Sequence, residues 1–102
     1  MATTDDEAKA SVGESPRFLL GSTCITPGVR MALSLEEIHA ALSRHQRGDW
    51  GDLPSADCEE NELSLREGFR VLSAYTTRSG KRVWIITEAD RSATTVLLPE
   101  EY

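Results

Sequence analysis

Three apolar runs in the C-terminal third dominate the hydrophobic pattern of this chain. Residues 69–77 read FRVLSAYTT, residues 81–88 read KRVWIITE, and residues 94–98 read TTVLL before Pro99. Aromatic and β-branched side chains of the first run suit a pleated, half-buried surface. The unbroken Val83-Trp84-Ile85-Ile86 run fits a central strand or one covered on both faces. Proline cannot donate to a ladder, so the third strand should end at Pro99. Arg78-Ser79-Gly80 is a hairpin signal, with glycine available for positive φ. The pattern predicts a three-stranded antiparallel meander, with the preceding chain packed on one of its faces. A two-residue loop at Ser79-Gly80 would set Tyr75 opposite Trp84, Ala74 opposite Ile85 and Ser73 opposite Ile86. A slip of one residue would exchange the faces.

Upstream, residues 18–26 (FLLGSTCIT) read as a strand bent at Gly21 and ended by Pro27-Gly28. Residues 29–33 suit a short helical turn. Ser34-Leu35-Glu36-Glu37 is a capping box, which starts a helix at Ser34. Leu35, Ile38 and Leu42 share one face of that helix, and His45 continues the stripe at its edge, near the core boundary. Acids in the first turn and Arg44 and Arg47 near the end match the helix dipole, and Gly48 is the stop. Trp50 then stands in a loop between Gly48 and Gly51. An indole has too much apolar surface to leave in water, so it should dock on the body. A second helix spans residues 55–67, with Pro54 at its start and Gly68 as its stop. Its best inner stripe is Cys58, Asn61 and Leu65, and a buried Asn61 would require partners. Strand, two helices and three strands in that order predict an α+β fold in one domain over residues 16–102. Residues 1–15 are acidic and poor in apolar side chains, the composition of a disordered tail.

Charge narrows the function classes. Seventeen acids against 11 bases give a net charge of −6. That opposes general binding to a nucleic-acid backbone, which rewards a basic surface. The acidic N-terminus has no apolar core and does not read as a secretory signal, and no stretch is long enough to span a bilayer. A cytoplasmic protein is expected, with Cys24 and Cys58 as buried free thiols. Those cysteines with His39 and His45 lack the spacing of a metal site, so no metal is expected, and no cofactor is implied.

Three stretches carry more polar residues than packing requires: residues 44–52, 57–61 and 87–95. His45 has the ordinary pKa of a general acid or base, or it serves as a boundary histidine at a helix end. Asp49 could orient it, or bond its own turn backbone. Arg91 could hold a phosphate or carboxylate, or pair with Asp90, Glu88 or Asp49. Arg44, Trp50, Asn61, Thr87, Asp90 and Thr94 complete a binding or structural cluster around those candidates. If the first helix crosses the sheet, Arg91 or Asp90 should reach Asp49 or His45, and Asn61 should tie down the loop backbone.

The segments Arg44-His45, Gly48-Asp49-Trp50-Gly51 and Glu60-Asn61-Glu62, with residues 68–75, 84–92 and 99–102, carry a resemblance. Together they resemble a family of short bacterial proteins found on plasmids and integrative elements. Its copies are often labelled plasmid-related protein or type I restriction enzyme subunit M. The resemblance covers residues 20–102 and implies an accessory role on a mobile element, with no activity attached. A DNA methyltransferase would need a glycine-rich cofactor loop and an Asn/Asp-Pro-Pro-aromatic motif, and neither is present in 102 residues. Helices followed by a meander also resemble the layout of small RNase toxins of the barnase and RelE type, by fold analogy alone. Two functions follow. One is a non-enzymatic module that binds a protein partner. The other is a small nuclease-like hydrolase using His45, Asp49 and Arg91. A cleft joining those three groups would favour the hydrolase; separately satisfied side chains would favour the module. The oligomeric state is left open.

Overall fold

The computed structural model describes residues 15–102. Of the tail expected to be disordered, residues 1–14 lie outside the described residues. The elements run β1 (Ser22–Ile25), α1 (Pro27–Ala32), α2 (Leu35–Arg47), α3 (Ser55–Glu67), β2 (Val71–Thr76), β3 (Arg82–Thr87) and β4 (Ala93–Leu97). A 3₁₀ turn at Pro99–Glu101 follows. The fold is α+β. β2, β3 and β4 form the antiparallel meander, in a four-stranded sheet of order β1-β4-β3-β2. β1 lies parallel to β4 at the sheet edge, so it extends the sheet instead of packing on a face. It is also shorter than residues 18–26, because Gly21 at φ 66 turns the chain before it.

The hairpin register differs from expectation by one residue. Tyr75 faces Val83, Ala74 faces Trp84 and Ser73 faces Ile85. The Thr77 N–H reaches the Lys81 carbonyl (2.8 Å), and Gly80 sits at φ 87. The loop therefore has three residues and ends in a left-handed glycine, where the two-residue alternative would have exchanged every face. The consequence for the fold is large. Ser73, Tyr75, Val83, Ile85 and Thr87 share the inner face, and Trp84 stands on the outer one. Val29, Leu33, Ile38 and Ala41 from α1, α2 and the link between them close the core over Tyr75, Val83, Ile85 and Val96. β3, the apolar run, is central as expected. On the outer face Tyr102 meets Trp84 edge-on at 5.6 Å, and the Arg70 guanidinium donates to its hydroxyl (2.6 Å).

The capping box of α2 is formed. Ser34 Oγ accepts from the Glu37 N–H (3.1 Å) and Glu37 Oε1 accepts from the Ser34 N–H (3.0 Å). The bond from the Ser34 backbone, joined by bonds from Ser79, holds the Glu37 carboxyl down at about 2. Ser34→Ala should lower stability by about 1 kcal/mol, read as a fall in the urea midpoint. An unchanged midpoint would mean that the cap contributes nothing to the helix.

Leu35 does not join the inner stripe: it is 70% exposed. The buried positions of α2 are Ile38, Ala41 and His45. At the helical advance per residue, Leu35 lies about 90° from the centre of that stripe. In α3 the buried positions are Asn61 and Ser64, with Cys58 and Leu65 only half-buried. This helix abuts the edge of β2 and not the sheet face, which explains its polar inner stripe. Cys24 is exposed on β1, so the expectation of two buried thiols fails there; Cys58 is half-buried and both are free. No helix among the described residues is long and apolar enough to cross a membrane.

Candidate functional site

His45 is wholly buried, and not at the core boundary where the sequence stripe set it. Its Nδ1 lies 2.5 Å from Ser73 Oγ and its Nε2 lies 2.9 Å from Thr87 Oγ1. Thr87 Oγ1 is 2.7 Å from Thr94 Oγ1, which in turn donates to the Leu20 carbonyl (2.7 Å). That carbonyl fixes the direction of the whole chain, because it can only accept. The Thr94 proton points to Leu20, so Thr94 accepts from Thr87, and Thr87 accepts from His45 Nε2–H. Nδ1 of the neutral ring then accepts from Ser73. Burial, assisted by the Arg91 charge, lowers the imidazole pKa to about 3. His45 is a neutral fastener between α2, β2 and β3.

Aromatic rings close over it. Phe18 meets the imidazole edge-on at 5.2 Å and Trp50 at 6.0 Å, while Phe18 and Trp50 stack at 6.2 Å. Trp50 is 5% exposed, as its size requires. Its Nε1–H donates to Glu62 (3.0 Å), and Arg17 grips the same carboxylate through both terminal nitrogens (2.9 and 2.8 Å). The Arg17 hydrogen bond is the main cause of the lowered Glu62 pKa. Phe18, Arg17 and Glu62 were not among the sequence candidates.

Asp49 and Arg91 do different work. Arg44 donates to both Asp49 oxygens (2.7 and 3.2 Å), and the Gly51 N–H adds a third bond (3.1 Å). These bonds, Arg44 first, hold the Asp49 carboxyl below the usual range. The Arg44 guanidinium also covers the Tyr75 ring at 4.6 Å, and the Tyr75 hydroxyl donates to the Asp49 carbonyl (2.6 Å). Asp49 thus anchors its own loop and α2, and its hydrogen bonds go to neither His45 nor Arg91. Arg91 forms none of the ion pairs considered for it. It donates to four carbonyls, those of Phe69 (2.7 Å), Glu88 (3.0 Å), Ala89 (3.2 Å) and Ser64 (3.1 Å). A cation is favoured at the C-terminal carbonyls of α3. These bonds also offset the cost of holding Arg91 at φ 62. The guanidinium lies 5.7 Å over Phe18, the ring that meets His45 edge-on. Asp90 accepts from the Ser92 N–H (3.0 Å) inside its own turn.

Asn61 ties down a strand and not the loop. Its amide donates to the Leu72 carbonyl (2.7 Å) and accepts from the Leu72 N–H (3.2 Å). One side chain thereby replaces a neighbouring strand. The next outward pair, on Ala74, is taken by the loop: Asp52 N–H reaches the Ala74 carbonyl (2.6 Å) and the Ala74 N–H reaches the Trp50 carbonyl (3.3 Å). Gly51 at φ 75 allows this approach, and a Cβ there would overlap the Ala74 carbonyl oxygen. Asn61→Ala should lower stability by about 2 kcal/mol, since two backbone groups lose their partners at a sealed edge. Equilibrium urea unfolding measures it, and a loss within error would show water replacing the amide freely.

Two surface grooves stand out among the described residues. One, of about 490 Å³, runs between α2 and the hairpin and is lined by Glu37, Ala41, Arg44, Tyr75, Thr77 and Arg78 among others. The other, of about 510 Å³, lies by Lys81, Trp84 and Pro99. Neither is lined by His45, Asp49 or Arg91. Among the described residues no group of three or more His, Cys, Asp or Glu could hold a metal ion. Part of the signal for the hydroxyl chain was present in the sequence, since Ser73, Thr87 and Thr94 stand among apolar strand residues, but they share a face only in the observed register. Comparison with family models, curated proteins and solved structures finds no match to this chain.

Proposed function

We propose that this protein is a non-enzymatic protein-interaction module, acting in the cytoplasm as an accessory of a mobile genetic element. The resemblance to plasmid-borne proteins supplies the genetic setting. The observation that supports a module over a hydrolase is the use of His45, Asp49 and Arg91. Each is held by groups of the fold itself, and His45 has no exposed surface from which to move a proton to a substrate. A general base must reach the proton it removes, and both nitrogens of this ring face hydroxyls of the sheet. The experiment is affinity purification of the tagged full chain from a host carrying its element. A protein recovered in fixed stoichiometry, and rebinding when purified, is the expected result. Hydrolysis of RNA or DNA by the pure protein, lost in a folded His45→Gln variant, would overturn the reading.

A further inference from the structure

The two edges of the sheet are treated differently. On β2 the outward backbone groups of Leu72 and Ala74 are taken up by Asn61, Trp50 and Asp52. On β1 the bonds toward β4 include Ser22 N–H to the Ser92 carbonyl (2.9 Å) and Thr26 N–H to the Val96 carbonyl (3.1 Å). Backbone direction alternates along a strand, so Ser22, Cys24 and Thr26 face β4, while Thr23 and Ile25 direct their N–H and C=O groups outward. Among the described residues nothing pairs with those four groups. The strand is Ser-Thr-Cys-Ile, with its first three residues exposed. It carries none of the charges, bulges or internal prolines that usually blunt an edge.

We propose that this edge is a self-association seam, in which β1 pairs antiparallel with β1 of a second copy about a two-fold axis at Cys24. A second copy matches the open groups in one register, centred on Cys24. Opposing Thr23 of one copy to Ile25 of the other satisfies all four outward groups in both, and any shifted register leaves some unpaired. Two-fold dimers of this isologous kind are the commonest closed assembly. The register sets Cys24 against Cys24 as a non-hydrogen-bonded pair with Cα atoms about 4.5 Å apart. That lies within reach of a disulfide. Cys24 is exposed and shares the face opposite the helices, so the two thiols can meet. The same rotation brings the segment entering one β1 to the end of the seam where the helix leaves the other. Leu19 and Met31, 73% and 89% exposed, are the two most exposed large apolar side chains among the described residues and would lie together there. A four-residue seam with these flanks is a small interface, so the dimer is weak and concentration-dependent.

The test uses the full chain. Under reducing conditions its mass by sedimentation should double between about 1 µM and about 1 mM, the range in which a small interface associates. Mild oxidation at the upper end should yield a Cys24–Cys24 disulfide by peptide mapping, with the circular dichroism unchanged. Thr23→Pro removes an outward donor and no bond to β4. It should keep the thermal midpoint, stay monomeric and lose the disulfide. Amide exchange of Thr23 and Ile25 in the unaltered protein reads the same seam without a substitution, with protection rising as concentration rises. A wild-type monomer throughout, or a dimer without that protection, would overturn the seam. The monomer would leave the interaction-module reading standing, with the edge open to a strand of another protein.

Discussion

Trp50→Ala should lower the unfolding free energy by about 3–5 kcal/mol, the usual cost of removing a buried large aromatic side chain. The indole is almost fully buried and touches both Phe18 and His45. Its loss would open a void over the imidazole and leave Glu62 with Arg17 alone. The loop is also the seal of the β2 edge, through Trp50 and Asp52 against Ala74. The cost therefore combines a cavity with a loosened strand edge. Trp50→Phe keeps much of the packing and loses only the bond to Glu62, so it should cost about 1 kcal/mol, the net worth of one hydrogen bond. Urea unfolding of the three proteins would rank them. A loss under about 1 kcal/mol for the alanine variant would mean that the site collapses readily.

Much of the frame could be read from local signals. Caps, glycine stops and apolar runs placed both long helices and the meander, because each depends on residues a few positions apart. What failed depended on distance. The hairpin register is off by one because a two-residue and a three-residue turn share the same Ser-Gly signal. The role of β1 turned on a pairing with β4, some seventy residues away, which no local pattern encodes. His45 was legible as part of a helix stripe, but its depth was not, because burial of a histidine depends on hydroxyls that come from two strands. Asn61 was legible as a polar residue in need of partners, yet the partner it found was a strand edge. Arg91 shows the limit most clearly. A carboxylate partner is the ordinary expectation for an arginine, and four convergent carbonyls arise only once a helix end and two chain turns are brought together.

The neutral state of His45 makes the fold acid-labile. The folded pKa is about 3, below the ordinary histidine value of 6.5. Between those limits the unfolded chain binds a proton that the folded protein refuses. Stability is therefore full above pH 6.5, declines as pH falls, and levels off only below the folded pKa. The slope approaches 1.4 kcal/mol per pH unit, so about 3 kcal/mol should be lost between pH 6.5 and pH 4. Asp49, Glu62 and Glu101, whose pKa values are also lowered, act in the same direction but only in the carboxylate range. The interval from pH 6.5 to pH 5 thus isolates the histidine. His45→Gln retains an amide that can donate and accept, but it cannot take up a proton. It should be less stable at pH 7 and show a much flatter profile across that interval. Urea titrations at half-unit steps would give both slopes. A wild-type profile as flat as that of the variant would mean that His45 takes up its proton in the folded state, with Nδ1–H donating to Ser73 while the chain from Nε2–H through Thr87 and Thr94 keeps its direction.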